Sequence, residues 1–253
     1  MKKILLFALP LLAMLAVSCE KDGRQNVTDK RVKEIWIEYE DGEKELIYSF
    51  TYDSEGRVMR SNHNNYLYET YTYADNAIIA TDDDGDGKTI YRLNNDGYLL
   101  VKEDHYSSYN GPERLYSTTE YVYNNGYLSK EIYKSYDESG AVEEESTDEY
   151  FWKNGNLVID YAETYEYSSI ANLTNINLGY SLESGDDISY LKFKGTYSKN
   201  LLSKMVVKKY DGAICTYQWD YTLDKDGLPT QVKKSFWRTE DDKYLATFYI
   251  IYE

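Results

Sequence analysis

Proline, cysteine and histidine are scarce in this chain of 253 residues, which has three, two and two of them. Two cysteines cannot form a framework of several disulfides. His63 and His105 match no metal-ligand spacing, and we expect both to be polar surface residues. The chain also lacks a glycine-rich phosphate loop, a Ser–His–Asp order and a zinc box, so we expect no enzyme.

Helical spacing of apolar residues is absent from almost the whole chain after residue 31, which indicates an all-β protein. The few prolines favour long hydrogen-bonded ladders. The exception is the segment 169–178, where Ile170, Leu173 and Ile176 are spaced by three. This spacing predicts a short helical insert.

Phenylalanine is also rare, with six residues against thirty tyrosines. Tyrosine suits half-buried sheet surfaces because one end of its ring is apolar and the other is polar. Acidic residues outnumber basic ones by 44 to 28, which gives a net charge of −16. A charge of this sign repels phosphate groups, so nucleic acid is excluded as a partner.

The only long apolar run lies at the start of the chain. Lys2 and Lys3 precede an apolar segment that ends in small residues and Cys19. This order is typical of a signal peptide, and the cysteine predicts a lipoprotein cleavage site whose acylated thiol anchors the protein in a bilayer. We expect a signal peptide over 1–18, a lipidated flexible tether over 19–31 and a single β-meander domain over 32–253. The acidic residues just after Cys19 resemble the surface-export signal of Bacteroidetes lipoproteins, which implies the outer face of the outer membrane.

A short phrase with a tight turn recurs along the domain. Examples are Tyr52–Val58 and Leu93–Leu99, and further copies begin at Tyr123, Trp152, Tyr197 and Leu223. Asn-Gly and Asp-Gly pairs accept the positive φ that hairpin turns need, and we expect Asn200 to do the same. With the turns between these copies, the pattern predicts an antiparallel meander of about 15–17 strands.

Two shapes of this sheet remain open: a closed or nearly closed soluble barrel, and a long coiled sheet that wraps on itself. A membrane-spanning barrel requires an apolar residue at every second position. Segment 128–136 instead places Lys130 and Lys134 on one face and Glu131 on the other. We therefore expect the sheet to face water.

The repeated Tyr-x-Tyr-(Asn/Asp)-x-x-Gly-x-(Leu/Val) phrase resembles the tyrosine-aspartate repeats of Rhs-type shells. The whole chain resembles a family of uncharacterised Bacteroidetes lipoproteins with a porin-like fold. Segment 174–178, Thr-Asn-Ile-Asn-Leu, is similar to a short apolar insert of that family, with Asn177 where aspartate is usual. The resemblance implies a soluble barrel-like fold and carries over no catalytic residue.

One acidic loop has the composition of a cation site. Asp82, Asp84, Asp86 and Gly87 fit the start of a calcium loop, although the later bidentate glutamate is missing and Leu93 occupies its place. The alternative is a solvated acidic turn. Calcium is therefore the one candidate cofactor.

Two functions remain for such a surface lipoprotein. The first is glycan binding, because exposed aromatic rings can stack on sugar faces. The rings to test are Tyr71, Tyr73, Tyr106, Tyr109, Tyr116, Trp152, Trp219 and Trp237. The second is a structural or protein-interaction scaffold, since a repeated sheet offers a broad surface. For each single ring the alternative is cross-strand packing.

Overall fold

The computed structural model describes residues 29–64, 67–107, 112–160, 163–174, 197–209, 211–238 and 243–253. These residues form sixteen β-strands, and each is antiparallel to the next along the chain. The strands are β1 Val32–Glu38, β2 Lys44–Tyr52, β3 Val58–His63, β4 Leu67–Ala74, β5 Ala77–Asp82, β6 Gly87–Leu93, β7 Leu99–Ser107, β8 Glu113–Asn124, β9 Tyr127–Tyr136, β10 Val142–Lys153, β11 Asn156–Asp160, β12 Glu163–Ala171, β13 Asn200–Lys208, β14 Ile214–Leu223, β15 Pro229–Trp237 and β16 Tyr244–Tyr252.

The sheet closes into a barrel because β1 pairs with β2 on one side and with β16 on the other. Just before β1, the backbone of Arg31 exchanges two hydrogen bonds with Glu253, at 3.1 and 2.9 Å. The all-β meander and its number of strands are confirmed. Of the two shapes left open by the sequence, the structure has the barrel.

The hairpins form for local reasons that repeat along the chain. In the turn after β2, one carboxylate oxygen of Asp53 accepts hydrogen bonds from the backbone N–H groups of Glu55 and Arg57, both at 2.9 Å. Gly56 completes the turn with a φ of 81°. The same arrangement recurs in the turns that begin at Asn94, Asp137 and Asp224. Two-residue turns such as Asn125–Gly126 have positive φ at both positions, which matches the twist of the flanking strands.

We expect Gly97→Ala to destabilise the barrel by about 1–2 kcal/mol, because Gly97 has a φ of 81° and an L side chain is strained there. No atom lies within 4 Å of the position that a Cβ would occupy, so the loss would come from the backbone alone. Urea unfolding measures it. Gly97→Asn is the control and should lose less, since asparagine tolerates this conformation; equal losses for both variants would refute the explanation.

The barrel has two different ends. The termini end holds Arg31, Glu253 and the turns that follow the even-numbered strands, and the far end holds the turns that follow the odd-numbered strands. Near the termini end, an aromatic residue late in an even strand hydrogen-bonds a backbone carbonyl at the start of the preceding odd strand. The hydroxyl groups of Tyr52, Tyr73, Tyr221 and Tyr252 donate to Val32, Val58, Leu202 and Pro229, and the indole of Trp152 donates to Leu128. These aromatic side chains thus tie neighbouring strands together near the termini end.

The core lies inside the barrel. Along β16, the buried residues Ala246, Phe248 and Ile250 alternate with exposed or half-buried ones. A single closed sheet buries only its inner face, so alternation of this kind identifies the residues that point inward. The buried apolar side chains come from β1–β9 and β13–β16, and together they fill the interior beside those strands.

The outer wall carries charge midway along its strands. Lys130 pairs with Glu149 at 3.3 Å, and Arg92 pairs with Glu103 at 2.5 Å, in both cases between neighbouring strands. A lysine at the middle of a bilayer costs about 2–4 kcal/mol, so this wall is suited to water. No helix in the part of the chain that the structure describes is long and apolar enough to cross a membrane.

Two local predictions need correction, and one turn was not predicted. Residues 169–171 of the predicted helical insert belong to β12, since Ala171 pairs with Asn200, and residues 175–178 lie outside the described residues. Asn200 does not take a positive φ but begins β13, where its backbone N–H donates to the Asn156 side chain at 2.9 Å. The turn at Asp75–Asn76 was missed because it contains no glycine, and Asn76 supplies the positive φ there.

Candidate functional site

The interior is not filled evenly around the barrel. Among the described residues, β10, β11 and β12 contribute no fully buried apolar side chain. On β10 the inward positions Glu144 and Ser146, near the far end, are exposed. On the neighbouring β9, the inward residue Leu128 at the termini end is buried. Among the described residues, the inner face beside β9–β12 is therefore accessible to water towards the far end, and we refer to this region as a recess.

Carboxylates line this recess. Glu131 on β9 lies directly opposite Asp148 on β10, and both side chains are half-buried. Glu163 begins β12 and is also half-buried. Directly opposite residues of an antiparallel pair have Cβ atoms about 4.5–5.5 Å apart, so Glu131 and Asp148 bring two acidic groups within reach of one ligand.

Tyrosines lie beside these carboxylates on the inner face. Tyr133 follows Glu131 by two residues, and Tyr150 follows Asp148 by two. Tyr165 follows Glu163 by two, and its hydroxyl donates a hydrogen bond to the Glu163 carboxylate. All three rings are half-buried, so part of each stays accessible to solvent. We name the inward residues of this region the acidic recess: Glu131, Tyr133, Glu144, Asp148, Tyr150, Glu163 and Tyr165.

A polar network continues along the inner face of β6, β7 and β8. The two carboxylate oxygens of Asp104 accept hydrogen bonds from the hydroxyl groups of Thr89 and Ser117, both at 2.9 Å. The ammonium group of Lys102 lies 3.1 Å from the same carboxylate. These partners fix Asp104 in place, so this network serves to hold the interior together.

A second inward network surrounds Tyr71 on β4. Its hydroxyl donates to the Glu69 carboxylate and lies 3.1 Å from the Ser61 hydroxyl. His63 stacks on Tyr48 with ring centroids 4.6 Å apart, and burial lowers the pKa of His63 below its usual range. His63 is therefore half-buried on the inner face at the far end, rather than fully exposed as expected. His105 points outward, with its ring nitrogens 3.6 Å from Glu103 and 3.2 Å from Glu113.

The predicted calcium residues serve the hairpin between β5 and β6. A carboxylate oxygen of Asp82 accepts the Gly87 N–H at 3.2 Å, and the backbone carbonyl of Asp86 accepts the Ser107 N–H at 2.8 Å. Asp84 is exposed at the tip of the turn. Within the described ranges, no group of three His, Cys, Asp or Glu residues is arranged to hold a metal ion. Calcium binding stays a prediction; it would raise the melting temperature of the wild type but not of Asp84→Ala.

The aromatic residues that the sequence suggested for glycan binding differ in how exposed they are in the structure. Tyr71 and Trp219 are 5% and 2% exposed, so these two rings belong to the core and cannot stack on a ligand. Tyr73 and Trp152 are half-buried and donate to backbone carbonyl groups. Tyr106, at 46% exposed, points inward at the far end, and Tyr116 is exposed as well. Trp237 is half-buried on the outer wall, and Tyr109 lies outside the described residues.

Two further inward residues lie on β14 and β15. Cys215 is a buried free thiol on β14. Lys234 is 5% exposed, with its ammonium group 5.1 Å from the ring centroid of Tyr217 and 6.0 Å from that of Trp219. The sequence did not single out Lys234, because an alternating strand looks the same whichever face points inward.

The acidic recess was also missed by the sequence analysis. The sequence does contain a pattern that points to it, since acidic residues and tyrosines occupy the same face of β9 and the same face of β10. The opposite face of β9 carries Lys130 and Lys134, and the opposite face of β10 carries more glutamates. Only the closed sheet shows that the face with the acidic residues and tyrosines points inward. Cys19, the predicted lipidation site, lies outside the described residues.

Two solved structures share this fold. A porin-like protein from Bacteroides uniformis ATCC 8492 aligns with a TM-score of 0.64 and 20% identity, over 88% of this chain and 98% of the other. A porin-like protein from Bacteroides vulgatus ATCC 8482 aligns with a TM-score of 0.63 and 13% identity, over 89% and 99%. No protein-family model and no curated protein matches the chain. The similarity confirms the porin-like fold that the sequence resemblance implied.

Proposed function

We propose that the protein is a non-enzymatic lipoprotein of the outer membrane surface that binds a glycan in its acidic recess. The observation that carries this proposal is the placement of half-buried tyrosines beside carboxylates on the inner face of β9, β10 and β12. The signal segment and Cys19 support the envelope location and the lipid anchor. The similarity to two porin-like proteins of Bacteroides agrees with an envelope protein.

A binding role suits this barrel better than a channel role. Tyr48, Phe248 and Leu99 are fully buried in the interior, and they are members of one packed core that reaches around most of the barrel. A filled interior leaves no passage for a solute beside those strands. The charged outer wall also points to a lipid anchor, and not the strands, as the attachment to the membrane.

Sugars suit the recess because of their two kinds of surface. The C–H faces of a pyranose pack against aromatic rings, and its hydroxyl groups donate to carboxylates. Tyr150 and Tyr165 offer rings, while Asp148 and Glu163 offer acceptors. The fixed backbone of neighbouring strands holds these groups in place, which limits the entropy lost on binding.

Glycan arrays on the soluble domain (residues 20–253) test this proposal. We expect Tyr150→Ala to weaken binding of a captured glycan at least about tenfold, or about 1.4 kcal/mol, because the ring contributes a stacking face. The control is Phe151→Ala on the same strand, since Phe151 points outward and is 53% exposed. Equal losses for the two variants, or no captured glycan, would contradict binding in the recess. Recovery of the glycan unchanged after long incubation would agree with a non-enzymatic role.

The anchor needs its own experiment. We expect the full-length protein, expressed in a bacterium that processes lipoproteins, to incorporate labelled fatty acid and to float with membranes. Cys19→Ser should do neither, because the acylated thiol is the attachment. A Cys19→Ser protein that still floats with membranes would show that another part of the chain holds it there.

The charge of the far end favours the alternative function, a scaffold for an envelope protein. Its described turns carry nine acidic and three basic residues, which form a broad charged surface. They are Glu40, Asp41, Glu43, Asp83, Asp84, Asp86, Asp137, Glu138 and Asp211, with Lys209, Arg238 and Lys243. Silent glycan arrays together with one protein that co-purifies at a fixed ratio would support this function instead.

A further inference from the structure

We infer that the termini end of the barrel is an interaction surface held close to the lipid bilayer, and that the acidic recess opens away from it. This inference rests on the proposed lipidation of Cys19. It follows from where the chain leaves the barrel, how the last residues before β1 are fixed, and how charge is divided between the two ends.

The chain enters the barrel at the termini end, where it is held by several contacts. The Lys30 ammonium group lies 2.6 Å from the Asp226 carboxylate and 3.4 Å from that of Asp224, so Lys30 is tied to the turn between β14 and β15. Arg31 pairs with the Glu253 carboxylate at 3.2 Å, in addition to the two backbone hydrogen bonds with that residue. Lys30 and Arg31, the last residues before β1, are thus bound to two separate parts of the termini end.

Arg31 is also packed against the strand on the other side of β1. Its guanidinium group lies 4.7 Å from the ring centroid of Tyr52. One of its terminal nitrogens lies 2.7 Å from the position that a Cβ on Gly56 would occupy, so the missing side chain of this glycine makes room for the arginine. Lys30 and Arg31 are therefore both held against the barrel.

The length of the tether limits how the barrel can turn. The eleven residue-to-residue steps from Cys19 to Lys30 span at most about 40 Å when fully extended. A flexible chain of this length has a root-mean-square end-to-end distance of about 18 Å. A nine-residue strand tilted by about 40° rises about 23 Å along the barrel axis. Bringing the far end to the membrane would extend the tether along the outer wall by about 23 Å or more, which exceeds this average distance and costs conformational entropy.

Charge favours the same orientation. The described turns and chain ends at the termini end carry eight acidic and five basic residues, against nine and three at the far end. The acidic ones are Asp29, Asp53, Glu55, Asp75, Asp96, Asp224, Asp226 and Glu253, and the basic ones are Lys30, Arg31, Arg57, Lys199 and Lys225. An anionic membrane surface repels the far end more strongly, although salt screens this effect beyond about 10 Å.

Fluorescence quenching on the full-length lipoprotein in liposomes tests the orientation. The buried thiol of Cys215 is first removed by Cys215→Ala, and one label is then placed at Asn95→Cys or at Glu138→Cys. Both positions are the second residue of the same type of turn, the first at the termini end and the second at the far end. With a quencher carried by the lipid, we expect quenching at position 95 to exceed that at position 138 several-fold.

A longer tether provides the second measurement. Inserting about 20 Gly and Ser residues before Asp29 should bring the two signals closer together, because a longer chain relaxes the limit on rotation. Equal quenching in the native-length protein, or stronger quenching at position 138, would overturn the inference. Flotation of the same samples distinguishes the two ideas: a protein that does not float refutes the lipid anchor, whereas one that floats with equal quenching refutes only the orientation.

Discussion

Raising the pH above about 10 is expected to unfold the barrel in one cooperative transition. Tyr52, Tyr221 and Tyr252 have pKa values raised above the usual tyrosine value by burial, and burial also raises the pKa of Tyr73 to about 12. Each of these hydroxyl groups donates to a backbone carbonyl, which only the neutral form can do. The native state therefore retains protons that the unfolded chain gives up above pH 10.

The sign and size of this effect follow from proton linkage. Above pH 10 the unfolded chain binds fewer protons than the native barrel, so the free energy of unfolding falls as the pH rises. The fall is at most about 1.4 kcal/mol per pH unit for each such tyrosine. Tyr52, Tyr221 and Tyr252 together contribute about 4 kcal/mol per pH unit, which is a large part of the usual 5–15 kcal/mol of total stability. Tyr73 contributes less because it is more exposed to solvent.

Circular dichroism and tyrosinate absorbance, followed together, measure this transition. We expect the hydroxyl groups of Tyr52, Tyr221 and Tyr252 to ionise only as the β signal is lost. Tyr221→Phe should make the pH dependence shallower by about 1.4 kcal/mol per pH unit. Tyr116→Phe is the control, since Tyr116 is 51% exposed, and should not change it. Ionisation of all thirty tyrosines near pH 10 in a folded barrel would refute the burial argument.

Truncating Phe248 to alanine is expected to lower the free energy of unfolding by about 3–5 kcal/mol. Phe248 is 0% exposed, and it lies on β16 opposite Ile37 of β1 and Val232 of β15. The substitution would leave a cavity where β16 joins the first strand to the fifteenth. Chemical denaturation with urea measures the loss.

Ile251→Ala on the same strand is the matched control. Ile251 is 43% exposed on the outer wall, so its truncation should change stability by less than about 0.5 kcal/mol. The comparison also tests the assignment of the faces. If Ile251→Ala were the more destabilising of the two, the buried face of β16 would not be its inner one.

The hairpins were predictable because their causes are local. Asp53 and Gly56 build their turn from hydrogen bonds and a positive φ within five residues, so the turn can be identified from the sequence. Asn200 shows where this reasoning fails. It fits the repeated phrase, but contacts with Asn156 and Ile170, distant in sequence, place it in a strand.

The candidate site was hidden because both faces of most strands look alike in the sequence. Tyrosines and charged residues occur on both faces of the predicted strands, so alternation predicts the strands but not which face points inward. Tyr71 and Trp219 were chosen as exposed rings for this reason, and the structure places both in the core. Glu131 and Asp148 can be recognised as a pair only from the register of β9 and β10, which places them opposite each other.

The sequence by itself determined the all-β class, the approximate number of strands and the antiparallel order. These features depend on the local conformation of turns and on residue order along the chain. Only the tertiary structure decided that the sheet closes, which face is buried and where the acidic recess opens. The physical reason is that closure depends on the pairing of β1 with β16, strands more than 200 residues apart in sequence. No local pattern records that contact, yet it defines the inside of the barrel for every other strand.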